Sequence, residues 1–129
     1  MKAISYRGAS LAAGVCVLAG LNACEKPPAA PSPPGGANTV TITAAGLSPK
    51  SVQVTPGSRV LFINNDNQPH YIHSNPHPEA TDCPELNQIG ILNPGGRRET
   101  GNLVAPATCG YHDHDAPSNA TFQGTVTVR

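Results

Sequence analysis

All five histidines of the chain lie in two short windows of the sequence. They are His70, His73 and His77 in the first window, and His112 and His114 in the second. Imidazole is the commonest side-chain ligand for copper, zinc, iron and nickel, so this crowding predicts a metal site. At an imidazole-rich site the Irving–Williams order favours Cu(II) over Zn(II) when both are available. The alternative is a set of surface histidines in polar loops with no shared partner.

The second histidine window has the alternation of a β-strand. Residues i and i+2 of a strand share a face, so His112 and His114 are predicted to point at one ion. Asp113 and Asp115 are interleaved with them and are expected to accept hydrogen bonds from the ring nitrogens that face away from the metal. This window therefore predicts two ligands and two supporting carboxylates.

The first window requires a less regular backbone. His70 and His73 are three residues apart and cannot both face one ion from a regular strand. His77 lies between Pro76 and Pro78, whose restricted backbone can fix the direction of its side chain.

Outside these windows the sequence offers little other chemistry. It shows no Ser/His/Asp arrangement with supporting motifs, no phosphate-binding glycine loop and no carboxylate pair suited to acid–base catalysis, which argues against an enzyme. Eight basic residues balance eight acidic ones, so there is no electrostatic footprint for nucleic acid.

The N-terminus has the features of an export signal. Lys2 and Arg7 precede a short apolar stretch, residues 11–21, and the following Leu-Asn-Ala-Cys resembles the bacterial lipobox. Residues 1–23 are therefore predicted to be a lipoprotein signal peptide, with Cys24 as the lipidated residue. The alternative is an ordinary cleaved signal with an incidental cysteine.

The remaining cysteines have two possible roles. Cys16 lies within the signal, and Cys83 and Cys109 are left for the globular part. In an oxidising compartment two such thiols usually pair, which predicts a disulfide. The competing interpretation makes one of them a copper thiolate.

A proline- and glycine-rich segment, residues 24–37, is predicted to be an extended tether before a single domain at 38–129. Within the domain, apolar and polar residues alternate with a period of two, and Val40 and Ile42 are expected to face inward. A long polar loop is predicted from Ser74 to Arg98. The predicted strands are Thr39–Thr43, Ser51–Val54, Arg59–Asn64, His70–His73, Thr100–Val104, Thr108–His112 and Thr121–Val128. The pattern indicates an all-β sandwich.

The first half of the domain resembles the plastocyanin-like domains of the cupredoxin family. The matching residues are Val40–Ile42, Leu47–Pro49, Val52–Val54, Pro56–Gly57, Val60–Asn64, Asp66 and His70, and Gly124–Val128 resembles the closing strand. The resemblance implies a Greek-key β-sandwich of about seven to eight strands and a bound copper ion. It also implies that His70 is the first copper ligand.

The resemblance fails at the second half of the site. A blue-copper domain has Tyr-x-Cys, then a histidine and usually a methionine, whereas this chain has Tyr111-His112-Asp113-His114. Cys109 lies before the tyrosine, and no methionine follows the initiator. The short stretch instead is similar to the Trp-Tyr-His-x-His strand of multicopper oxidases, in which both histidines bind copper.

The predicted metal ligands are therefore His70, His77, His112 and His114, with His73 the weaker choice for the additional ligand. Such a site without thiolate is expected to be a pale, tetragonal Cu(II) site. The expected function is copper capture, delivery or buffering by a lipoprotein on the periplasmic side of a bacterial membrane or at the cell surface. Electron transfer and a superoxide dismutase-like activity are the alternatives.

Overall fold

A computed structural model of the chain describes residues 38–129, which form nine β-strands and two short 3-10 helices. The strands are β1 (Thr39–Thr43), β2 (Gly46–Ser48), β3 (Ser51–Val54), β4 (Leu61–Asn64), β5 (His70–Ser74), β6 (Gly90–Leu92), β7 (Arg97–Glu99), β8 (Ala107–Asp113) and β9 (Gln123–Val128). The helices are η1 (Leu86–Gln88) and η2 (Ala120–Phe122). The predicted all-β class is confirmed.

The strands form two packed sheets. One has the order β2-β1-β4-β7, and the other has the order β3-β9-β8-β5-β6. The predicted alternation is confirmed in β1, where Val40 and Ile42 are fully buried. Phe62 of β4 packs edge-on against Tyr111 of β8, with 5.2 Å between ring centres, and so joins the two sheets. Burying each large apolar side chain contributes about 1.5–3 kcal/mol to folding.

The five-stranded sheet presents different residues on its two faces, and this division places the histidines. Along β5, His70, Ile72 and Ser74 are buried against the core, while Tyr71 and His73 point outward and are half-buried. Because successive side chains of a strand alternate between faces, the two histidines of β5 lie on opposite sides of the sheet.

Two predicted features of the chain are wrong. The segment 74–98 is not one polar loop, because it contains η1, β6 and the start of β7, and its Leu86 and Ile89 are fully buried. These two apolar residues are three positions apart and do not alternate with polar ones, so the sequence pattern does not predict that the segment is buried. Residues 100–104 do not form a strand, and only Leu103 makes an isolated bridge.

The predicted signal peptide (1–23), the tether (24–37) and the lipidated Cys24 lie outside the described residues. Between residues 38 and 129, no helix has the length and apolar character needed to cross a membrane.

Candidate metal centre

Two histidines from neighbouring strands lie side by side on the outer face of the five-stranded sheet. His73 of β5 is directly opposite His112 of β8 in the antiparallel register, where side chains come into contact. His114 follows the end of β8, and its backbone N–H donates to the Tyr71 carbonyl at 2.6 Å, which holds the turn against β5. The ring centres of His73 and His114 are 4.8 Å apart. The two strands thus gather three histidines in one place.

His77 comes from the loop that follows β5. Its ring centre is 4.5 Å from that of His114 and 5.3 Å from that of His112. The Asn87 side chain holds the loop by accepting from the backbone N–H of the last residue of β5 at 2.8 Å and donating to the Ala80 carbonyl at 2.7 Å. The fourth histidine is therefore carried over the sheet by a loop with fixed ends.

The same loop is attached to β8 at two further points. The Asn75 backbone N–H donates to the Gly110 carbonyl at 2.9 Å. A Cβ at Gly110 would collide with the Asn75 amide, so glycine permits this close approach. Cys83 and Cys109 form a disulfide that closes a sequence separation of 26 residues, which confirms the predicted pairing. The loop is thus bound to the strand that carries the other histidines.

Three of these histidines can share one ion. One ring nitrogen from each of His77, His112 and His114 lies within 4.8 Å of the other two. Three buried ring nitrogens of the cluster have no hydrogen-bond partner: His73 Nδ1, His112 Nε2 and His114 Nδ1. A buried polar atom left unpaired costs about 1–3 kcal/mol, and coordination to a metal removes that cost. The donor set therefore fits a metal ion.

His112 is held in the form that a metal requires. Its Nδ1 lies 2.8 Å from Asn75 Oδ1, and an amide oxygen only accepts, so the proton is on Nδ1 and Nε2 presents a lone pair. Burial lowers the pKa of His112, and the neighbouring charges of His77, His114 and His73 lower it further. Burial also lowers the pKa of His73, with added effects from His114 and His77. Both rings therefore favour the neutral, ligating form.

His70 lies on the opposite face of the sheet and does not join the cluster. Its Nδ1 is 2.7 Å from Asp113 Oδ2 and its Nε2 is 3.1 Å from Asp66 Oδ2. Both ring nitrogens of His70 are thus engaged by carboxylate oxygens, so neither is free to bind a metal in this arrangement. The hydrogen bond from His70 lowers the pKa of Asp66. The expectation that His70 is a ligand does not fit this geometry, whereas His73 lies beside the cluster.

Of the two carboxylates predicted to support the ligands, that of Asp113 has another role. One oxygen of Asp113 makes the contact on the inner face, and the other accepts from the backbone N–H groups of Tyr71 at 3.1 Å and Asp115 at 3.3 Å. Asp113 therefore closes the turn after β8. The group that orients His112 is Asn75, which the sequence did not reveal because an asparagine before a proline is an ordinary turn residue.

The fold is similar to that of solved cupredoxins. A purple cupredoxin from Nitrosopumilus maritimus is 24% identical, with a TM-score of 0.55 over 70% of this chain and 98% of that one. Oxidised plastocyanin from Dryopteris crassirhizoma is 21% identical, with a TM-score of 0.55 over 70% and 99%. A Cu(I) form of a mutant amicyanin is 20% identical, with a TM-score of 0.55 over 70% and 80%. Neither a protein-family model nor a curated protein matches the chain. At this identity the likeness establishes the cupredoxin-like sandwich.

The residues at the predicted blue-copper position of this fold make a different contact. The Tyr-x-Cys pattern has a cysteine two residues after its tyrosine. In this chain Tyr111 is followed at that distance by Asp113, whose carboxylate contacts His70. Cys83 and Cys109 are bonded to each other. A hydrogen-bonded acid–imidazole pair therefore occupies the inner face, and the histidine cluster lies on the outer face.

Proposed function

We propose that this domain binds one copper ion through His77, His112 and His114, and that it captures, delivers or buffers copper. The observation that carries the proposal is the set of three ring nitrogens within 4.8 Å of one another. The unpartnered, buried Nε2 of His112 supports it, since this atom already presents a lone pair to the cluster.

Copper is favoured over other metals by the donor set. Neutral imidazoles bind Cu(II) more tightly than Zn(II) or Ni(II) when each is available. Coordination would give partners to the unpaired nitrogens of His112 and His114 and would supply a Lewis-acidic, redox-capable ion at the surface of the sheet.

Copper handling is favoured over rapid electron transfer by the character of the ligands. Both cysteines of the described chain are in the disulfide, so no thiolate is available there to give a type 1 site. His77 is exposed and belongs to a loop, so the ligand shell can open toward solvent. A site of this kind suits the exchange of a metal ion with a partner or a solution ligand.

Export and lipid anchoring complete the proposal. The charged start, the apolar stretch and the lipobox-like Leu-Asn-Ala-Cys support a lipoprotein whose Cys24 is acylated, on the periplasmic side of a bacterial membrane or at the cell surface. The tether of residues 24–37 would hold the domain away from the lipid surface. Cys24→Ser is expected to move the protein from the membrane fraction to the soluble fraction. Unchanged partition into membranes, with no lipid found by mass spectrometry, would contradict the anchor.

The copper proposal is tested by removing one histidine from each face of the sheet. His112→Gln is expected to weaken Cu(II) binding by more than about 10–100-fold, the loss seen when even a supporting residue of a metal ligand is removed. His70→Gln is expected to leave one tightly bound copper per folded molecule. Competition titrations with a chelator of known affinity measure both, and circular dichroism checks folding. Loss of copper only in His70→Gln would place the metal on the inner face and contradict the proposal.

A further inference from the structure

The outer-face cluster supplies three metal ligands, and this count bears on what the bound ion can do. Structural metal sites in proteins are usually closed by four protein ligands, whereas sites that act on small molecules keep a position for water or substrate. Within residues 38–129, the mutually close group consists of His77, His112 and His114, and no carboxylate or thiolate joins it.

The nearest alternative ligands are engaged elsewhere. The Asp113 carboxylate faces the other side of the sheet, where it contacts His70 at 2.7 Å. Cys83 and Cys109 are covalently paired. Among the described residues, His73 is the remaining histidine beside the group, and its ring centre is 4.8 Å from that of His114. It does not belong to the group of nitrogens that lie within reach of one another.

The residues of the cluster become more exposed toward the loop. His77 is exposed and His114 is half-buried, while His112 is almost fully buried at the surface of the sheet. An ion held between them would have the buried His112 on the side of the sheet and the exposed His77 on the side of the loop. Three neutral imidazoles leave the full charge of a divalent ion in place, so an anion is the favoured additional ligand.

We propose that copper bound at this cluster keeps one coordination position that takes a small exogenous anion. The inference rests on the proposed copper site and goes beyond it, because a copper ion whose coordination positions were all filled by protein groups would bind equally well and would take no anion. The chemical class of ligand is a small monoanion that coordinates through one atom, and azide is the probe. His73 is then a neighbour of the position and not a ligand.

The test adds azide to the copper-loaded protein and follows its absorption and electron paramagnetic resonance spectra. One azide per copper is expected, with a new azide-to-copper charge-transfer band and a changed copper hyperfine splitting. His73→Ala is the matched control, and it is expected to keep the copper stoichiometry and to change azide affinity by no more than about 2–3-fold, as for a non-ligand surface substitution.

Each other outcome overturns the inference. Azide binding by His73→Ala, but not by the natural sequence, would show that His73 fills the position. Unchanged spectra in both proteins would show a site closed by some other group. Loss of copper binding in His73→Ala alone would show that His73 is a ligand. Failure of the natural sequence to bind copper would refute the proposed copper site itself, and the copper titration that precedes azide addition separates these cases from the others.

Discussion

The hydrogen bond from His112 to Asn75 offers a sharp test of how the site is built. Asn75→Leu keeps the size of the side chain and the backbone N–H bond to Gly110, but removes the oxygen that accepts from His112 Nδ1 at 2.8 Å. Loss of such a supporting acceptor typically weakens metal binding 10–100-fold, which corresponds to about 1.4–2.7 kcal/mol. Because His112 is only 2% exposed, leaving its Nδ1–H without an acceptor should also destabilise the fold by about 1–3 kcal/mol.

The matched control is Asn75→Asp, whose carboxylate can still accept the same hydrogen bond. A carboxylate partner raises the basicity of a ligating imidazole, so this variant is expected to bind copper at least as tightly as the natural sequence. Chelator competition gives the two dissociation constants, and thermal unfolding of the metal-free proteins shows whether both remain folded. Equal copper affinity for folded Asn75→Leu and the natural sequence would refute the role assigned to this hydrogen bond.

Three further outcomes follow from the same geometry. His77→Ala removes a ligand, so copper affinity should fall by more than about 10-fold. Because His77 is exposed, the free energy of unfolding of the metal-free protein, measured in urea, should change by less than about 0.5 kcal/mol. Replacing both Cys83 and Cys109 by Ser opens a loop of 26 residues, so the free energy of unfolding should fall by about 3–4 kcal/mol on the chain-entropy relation. The denaturation midpoint measures this loss, and an unchanged midpoint would contradict it. His73 and His112 have lowered pKa values in the folded state, so the unfolded chain binds more protons below pH 6.5. Metal-free stability should therefore fall as pH drops from 6.5 through their folded pKa values, and His73→Phe should reduce that slope.

The fold was largely readable from the sequence because alternation and turn residues act locally. Val40 and Ile42 alternate with threonines, and a single buried face is enough to predict the strand and its orientation. The segment after β5 could not be predicted in the same way. Leu86 lies in the 3-10 helix η1 and Ile89 directly follows it, and the burial of both depends on tertiary packing.

The site was predictable in its residue types and less so in its geometry. The pairing of His112 with His114 is predicted by local strand alternation, and the structure places both residues in one cluster. The choice between His70 and His73 depends on which face of β5 each occupies, and this is set by the cross-strand register that places His73 opposite His112. The role of Asn75 depends on a close approach across 37 residues of sequence, for which no local pattern exists.

A Cu(II) titration of the full chain, followed by electron paramagnetic resonance and visible absorption, tests the central claim most directly. A copper site built from His77, His112 and His114 without thiolate predicts one tightly bound ion, a wide hyperfine splitting with nitrogen couplings, and no intense blue absorption. An intense blue band would mean that a cysteine is a ligand and would favour electron transfer. Absence of stoichiometric binding would contradict the copper site altogether.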